Sequence, residues 1–257
     1  MEVVLTFLGT GTSQGIPVIA CECEVCQSTD SYDKRLRSSV MFEVDGMVIV
    51  VDTGPDFRQQ MLREKVKKVD AILLTHEHKD HIAGLDDIRS FNWIYKKPID
   101  VYAESRVLKA IQQEYAYVFA EEKYPGIPQM TLRAIDEAPF FISNIKIIPI
   151  RALHYKLPVL GFRIGNIAYI TDANYIPEKE FNKLTDLDVL VINALRKRKH
   201  ISHFSLAEAI NVANKIAAKQ TYFTHIGHLM GMHNHVSNEL PPNIYLAYDG
   251  LKVRTKI

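Results

Sequence analysis

Asp70-Ala71-Ile72-Leu73-Leu74-Thr75-His76-Glu77-His78-Lys79-Asp80-His81 is an apolar run that gives way abruptly to three imidazoles and the Asp80 carboxylate. Its apolar part has strand length and ends in a polar turn, which predicts a buried strand over Asp70 to Leu74. A strand that stops at a tight turn presents side chains rigidly. Alternation at His76 and His78, then adjacency at Asp80 and His81, aims four donors at one spot. Metal ligation demands such rigidity, because donor distances must fall within about 0.2 Å of ideal. The plain alternative is a polar turn with histidines facing water.

Working outward, three more donor residues stand at the ends of apolar runs. His154 follows Ile147-Ile148-Pro149-Ile150, Asp172 ends Ile167-Ala168-Tyr169-Ile170-Thr171, and His225 ends Thr221-Tyr222-Phe223-Thr224. Each alone reads as a satisfied polar residue at a strand terminus. Beside His76 to His81 they become candidate ligands of a site at one sheet edge.

The surrounding pattern predicts an α/β chain. Strands are expected at Val3 to Leu8, Ser39 to Val44, Met47 to Asp52, Ile99 to Ala103, Phe140 to Ile150, Leu160 to Ile164, Ile167 to Thr171, Asp188 to Ile192 and Tyr222 to His225. Asp45-Gly46 and Asp249-Gly250 are hairpin turns by composition. Helices are expected over Asp56 to Lys67, Ile82 to Trp93, Ser105 to Phe119 and Pro177 to Lys183, and from a Ser205 cap to Ala218, with Met230 to His235 a polar loop. Hairpins and helices in both halves suggest two facing mixed sheets with outer helices, in one domain over residues 1–257.

Composition narrows the function. The chain has 257 residues, 31 Lys+Arg against 30 Asp+Glu, and 47% hydrophobic residues, which excludes a disordered or fibrous protein. A net charge of +1 removes bulk electrostatics as a reason to bind nucleic acid or anionic membrane. No apolar run approaches the roughly 18 residues of a membrane span, and Met1 to Phe7 lacks a signal-peptide pattern. The 3 cysteines all fall between Cys21 and Cys26, a poor disulfide framework, so a cytoplasmic setting is expected. Packed this tightly, Cys21, Cys23 and Cys26 are either ordinary reduced thiols or three thiolates around one structural zinc near residues 15–30. Such a site is four-coordinate, and His228, three residues after His225, is the best fourth ligand.

Gly9-Thr10-Gly11, Asp52-Thr53-Gly54, the His76 to His81 motif, His154, Thr171-Asp172 and Thr224-His225 together resemble the metallo-β-lactamase superfamily over nearly the whole chain. The resemblance implies an αββα sandwich with two metals at the sheet edge. By its pattern His76, His78 and His154 hold one metal, Asp80, His81 and His225 the other, and Asp172 bridges them. Asp at 172, where antibiotic-hydrolysing members commonly carry Cys, points away from β-lactam cleavage. Two metals about 3.5–4 Å apart lower the pKa of a bridging water to give hydroxide at neutral pH, and these donors suit Zn or Mn among others. Gly11-Thr12-Ser13-Gln14-Gly15-Ile16-Pro17 with the three cysteines and His228 resembles, more narrowly, the cyclic phosphodiesterases of the carbon–phosphorus lyase pathway, which carry a structural zinc of this kind.

The function this implies is dinuclear metal-dependent hydrolysis of a small cyclic phosphate or related phosphodiester. Asp80 and His203 are the expected catalytic residues, with His203 protonating the leaving alkoxide; His203 also reads as a surface residue ahead of the Ser205 helix. Lys156 and Arg196 are expected to contact phosphate oxygens. Arg196-Lys197-Arg198-Lys199 is either a solvated loop or a positive rim. A ribonuclease Z-like nuclease, a thiolester or lactone hydrolase, and a non-catalytic zinc-stabilised binding module are the alternatives. The resemblance to those phosphodiesterases implies a homodimer, which no residue pattern marks; no membrane is expected, and nucleic acid is the weaker partner. His200, His233 and His235 carry no assigned role.

Overall fold

Val48-Ile49-Val50-Val51 shows why the strands are apolar on both faces: Ile49 and Val51 enter one buried layer, Val48 and Val50 another. The computed structural model describes residues 2–122 and 124–256. In it β1 (Glu2–Gly9), β2 (Ser39–Val44), β3 (Met47–Val51), β4 (Ala71–Leu73), β5 (Ile99–Ala103) and β6 (Met130–Ala134) lie side by side in chain order. β7 (Phe140–Ile142), β8 (Ile145–His154), β9 (Leu157–Ile164), β10 (Ile167–Ile170), β11 (Val189–Asn193), β12 (Gln220–Thr224) and β13 (Ile244–Leu246) form a second sheet, again in chain order. The last strand, β14 (Lys252–Lys256), returns to pair with β1.

Each sheet is antiparallel over its earlier strands and parallel over its later ones, from β3 to β6 and from β10 to β13. Parallel strands covered on both faces need continuous apolar sequence, and β3, β4, β10 and Val189 to Ile192 of β11 have it. Between the sheets lies a layer built on Leu5, Phe7, Phe42, Leu160, Phe162 and Tyr169. Outside the first sheet pack α2 (Phe57–Arg63), α3 (Lys79–Ile82), α4 (Arg89–Tyr95), α5 (Ser105–Glu114) and α6 (Ala116–Phe119), and outside the second α7 (Leu206–Ile216) and α8 (His233–Ser237). The short α1 (Glu24–Gln27) belongs to the cysteine loop. This is the expected αββα sandwich.

Several local expectations change. Ile82 to Trp93 is two helical pieces around Gly84, because the chain there presses onto Gly54: a Cβ on Gly84 would stand 2.1 Å from the Gly54 carbonyl oxygen. Glu178–Leu184 winds as a tighter 3₁₀ helix that turns the Glu180 carboxylate inward to the Arg151 amide at 2.9 Å. Phe140 to Ile150 is a hairpin turning at Ser143, whose φ is 54°. Asp249-Gly250 joins no hairpin, since β13 and β14 belong to different sheets. Met230 to His235 is helical in part, with His233 buried. The predicted Ser205 cap forms, with Glu208 Oε2 accepting the Ser205 amide at 2.9 Å. Among the described residues no helix is long and apolar enough to cross a membrane.

Candidate metal centre

Strand ends build the site. Asp52 follows β3, Thr75-His76 follow β4, His154 ends β8, Asp172 follows β10 and His225 follows β12. Asp52, Asp172 and His225 have φ of 66°, 54° and 54°. Non-glycine residues rarely adopt such left-handed backbone, and its recurrence at three neighbouring strand ends is the kind of strain that gathers at functional sites. The turn carrying Asp80 sits directly on Gly54, where a Cβ would stand 2.1 Å from the Asp80 carbonyl oxygen.

Two donor groups meet here. His76 Nε2 lies 3.0 Å from His78 Nδ1, and the His154 ring centroid is 5.7 and 5.2 Å from theirs. Thr75 Oγ1 contacts His76 Nδ1 at 2.9 Å, and His154 Nδ1 donates to the Ser202 carbonyl at 2.9 Å, which leaves the Nε2 of each as donor to a cation. In the second group His81 Nε2 is 3.1 Å from Asp80 Oδ2 and 3.4 Å from Asp172 Oδ2, and His225 Nδ1 is 2.8 Å from Asp172 Oδ1. Asp172 faces both groups, with Oδ2 3.8 Å from His76 Nε2.

The charges explain each other. Burial raises Asp52 and opposes ionisation of Asp80 and Asp172, but His81 and His225 overcome it and hold both latter carboxyls below the usual range. Burial lowers His76 and His154 and keeps them neutral, as metal ligation requires. Burial would also lower His81, yet Asp80, Asp52 and Asp172 around it raise it well above 6.5. Three carboxylates thus surround one imidazole, and among the described residues no Lys or Arg pairs with any of them. His81 Nε2 is buried and makes no well-aligned hydrogen bond to the carboxylates beside it. A buried group of three carboxylates with no Lys or Arg paired to it favours a cation, and mixed imidazole and carboxylate donors fit divalent zinc or manganese.

A second cluster lies beside this one. Cys21, Cys23 and Cys26 Sγ stand 3.3, 3.3 and 3.6 Å from His228 Nδ1. Four donors separated by about 3.5 Å are what Zn–S bonds near 2.3 Å and Zn–N bonds near 2.0 Å produce in a tetrahedron. The Cys26 amide and His228 draw the Cys23 thiol down to about 6 despite burial, whereas burial pushes Cys26 up to about 11.

The beta-lactamase superfamily domain matches residues 48–226. The chain belongs to the beta-lactamase superfamily. A crystal structure of a diphosphatase from the PhnP family superposes on it with a TM-score of 0.93 at 40% identity, covering 99% of this chain and 98% of that one. An octanoyltransferase of Porphyromonas gingivalis is 41% identical over 248 residues, 95% of this chain and 50% of that protein. A ribonuclease Z of an Exiguobacterium species is 26% identical over 164 residues, 62% of this chain and 48% of that protein. The chain spans about half the length of the curated relatives it matches. The superfamily expected from the His76 to His81 motif is the one found. Membership of this superfamily and the donors described above support a metal-dependent hydrolase.

The remaining candidates fall in different places. His203 is buried with Nε2 3.4 Å from Asp172 Oδ2, and its ring stacks 4.8 Å from that of His225. His200, without a role in the sequence, lies against it at 3.2 Å between Nδ1 atoms. Arg196, His200 and His203 line a cavity of ≈ 230 Å³ with Thr12, Gln14 and Leu229. The Arg196 guanidinium bonds the carbonyls of Arg198 and Lys199 at 3.3 and 3.0 Å. Lys156 is exposed on the β8–β9 turn, 5.3 Å from the Tyr155 ring. His235 is exposed, and buried His233 contacts Arg35 instead of the site. Sequence reasoning missed the part played by Asp52, which accepts from His81 Nδ1 at 2.7 Å and from the Thr75 amide at 2.9 Å. Its only signal was the Asp52-Thr53-Gly54 motif at a strand end.

Proposed function

We propose that residues 1–257 act as one hydrolase domain, a dinuclear metal phosphodiesterase for a small cyclic phosphate or related anionic diester. The observation that carries this is Asp172, one carboxylate within 3.8 Å of a ring nitrogen in both donor groups. On this reading His76, His78 and His154 hold one divalent ion, Asp80, His81 and His225 the other, and Asp172 both. Zn²⁺ or Mn²⁺ would lower the pKa of a water and take up charge on the attacked group. Cys21, Cys23, Cys26 and His228 hold a separate structural Zn²⁺, and thiols kept for that purpose suit a cytoplasmic setting.

The protein's own groups do the rest. Asp80, ionised against its burial by His81 and His225, would accept a hydrogen bond from the attacking water and orient it. Burial holds His203 near 4, so it is neutral until an anion arrives. A phosphate bound beside it favours the imidazolium, which then protonates the leaving alkoxide. Arg196, which lines the cavity beside His203, would meet the substrate's charge, with Lys156, exposed on the β8–β9 turn, as a further candidate. The 40% identity to a diphosphatase supports phosphate chemistry. Long RNA suits the site less: in the basic run Lys197 pairs with Glu239 at 2.6 Å and Lys199 faces Glu208 at 3.7 Å. Thiolester hydrolysis is a second reading, favoured by the 41% identity to half of an octanoyltransferase.

A substrate panel with Zn²⁺ and Mn²⁺ tests this: cyclic ribose phosphates, 2′,3′-cyclic nucleotides, linear diesters, diphosphates, lactones, acyl thiolesters and a tRNA precursor. Highest kcat/KM on a small phosphodiester is expected. Preference for a thiolester or the tRNA precursor overturns the reading in favour of the named alternative.

A further inference from the structure

We propose that Arg106 is a positioning residue for the donor group His76, His78 and His154, fastening the turn that carries the first two to the hairpin that carries the third. The inference rests on the assignment of those three histidines to one metal. His76 and His81 are buried, but His78 is exposed and Glu77 half-buried, so packing does little to hold the outer part of this turn. Two ties cross from it to the second sheet. The Leu160 amide donates to the Thr75 carbonyl at 3.1 Å. The Arg106 guanidinium donates through Nη1 to Glu77 Oε2 and through Nη2 to the Pro158 carbonyl. Pro158 sits opposite Leu153 in the β8–β9 register, one step from the pair His154 and Leu157. One planar group therefore spans the gap between ligands carried by different sheets.

Arg106 is itself held from α5, where it is the second residue. Its Nη2 lies 3.3 Å from Glu104 Oε2, and the same carboxylate accepts from Arg151 Nη1 at 3.0 Å. Arg151 lies on β8, three residues before His154. Glu104 thus receives one arginine bound to the His76–His78 turn and another from the strand of His154. A guanidinium can satisfy a carboxylate and a carbonyl together because its donors are fixed in one plane; a lysine ammonium is a point donor and cannot copy the span.

The test uses the full-length protein loaded with Co²⁺, counting ions and their affinities by chelator competition and following the Co²⁺ absorption. Arg106→Met should weaken one ion by about ten- to hundredfold, the usual cost of losing a residue that orients ligands, and leave the other ions unchanged. Arg106→Lys should fall between, and excess metal should restore kcat in both. Glu77→Gln should weaken the same ion, and the double variant should be no worse than Arg106→Met alone. Wild-type affinity for every ion in Arg106→Met, or equal weakening of all ions, overturns the proposal. If Arg106→Met does not fold, unchanged affinity in Glu77→Gln overturns it. Full metal content in His78→Ala overturns the histidine assignment and the proposal with it, which separates the two failures.

Discussion

The Asp52 carboxylate meets the His81 imidazole at 2.7 Å, Oδ2 to Nδ1, and neither side chain is exposed to solvent. This contact fixes the ring orientation, so that Nε2 faces Asp80 and Asp172. Asp52→Asn keeps an acceptor but removes the charge, and should cost about ten- to hundredfold in metal affinity and turnover. Asp52→Ala also orphans the Thr75 amide and hydroxyl, and should lose a further 3–5 kcal/mol or so of stability, the usual cost of breaking a buried pair. Chelator competition and urea unfolding read the two effects apart. Unchanged metal affinity in both variants would refute this role.

His203 stands 3.4 Å from Asp172 Oδ2 on the cavity side of the site. If it protonates the leaving group, His203→Ala should slow diesters with poor leaving groups by about 10²–10⁴-fold. Activated aryl diesters, whose leaving groups need no proton, should slow far less. Steady-state rates over a leaving-group series check this, and equal slowing along the series counts against proton transfer.

What could be read from the sequence follows from how local each cause is. Val48 to Val51 and Val189 to Ile192 are apolar at every position because both faces are covered, which is visible in the residues themselves. The donors were legible for a related reason: His76, His154, Asp172 and His225 stand at or just beyond the ends of apolar runs, and His78, Asp80 and His81 follow His76 in one turn. The edge strands Met130–Ala134 and Ile244–Leu246 were not, since β6 is partly exposed and carries Thr131 and Arg133, and β13 is only three residues long. The break at Gly84 and the crossing at Asp249 depend on contacts far along the chain, Gly54 in one case and Thr10 and Leu36 in the other. Asp52 likewise acts on a residue 29 positions away.

The cysteine loop has a minute core of its own, with Ile16, Val25 and Cys26 buried together. So little apolar area does little against the loop's conformational entropy, and a metal on the four proposed donors would supply the difference. Cys26→Ser should lower the metal content by about one ion per chain and expose residues 16–27 to proteolysis. The sandwich, whose large apolar layers lie elsewhere, should still unfold cooperatively. Metal analysis with limited proteolysis decides it, and an unchanged ion count removes the zinc from this loop.

Behind that loop His233 Nδ1 accepts from Arg35 Nη2 at 3.0 Å, in a pocket also faced by Asp33, Asp30, Tyr32 and Tyr248. Burial, then the Arg35 charge, lowers His233 to about 4, with Asp33 and Asp30 opposing. Arg35 itself remains charged at neutral pH, lowered by burial only to about 10. An unfolded histidine titrates near 6.5, so between about 6.5 and 4 the unfolded chain binds the extra proton. Stability from this contact is therefore fully present above about 6.5 and is lost as the pH falls towards 4. His233→Gln keeps an acceptor for Arg35 and does not titrate. Its stability relative to wild type, measured by urea unfolding at equal metal loading, should improve steadily as the pH is lowered from 7 to 4. His76, His154 and His203 titrate alike in both proteins and cancel in that difference. A difference independent of pH would mean that His233 is not held neutral by Arg35.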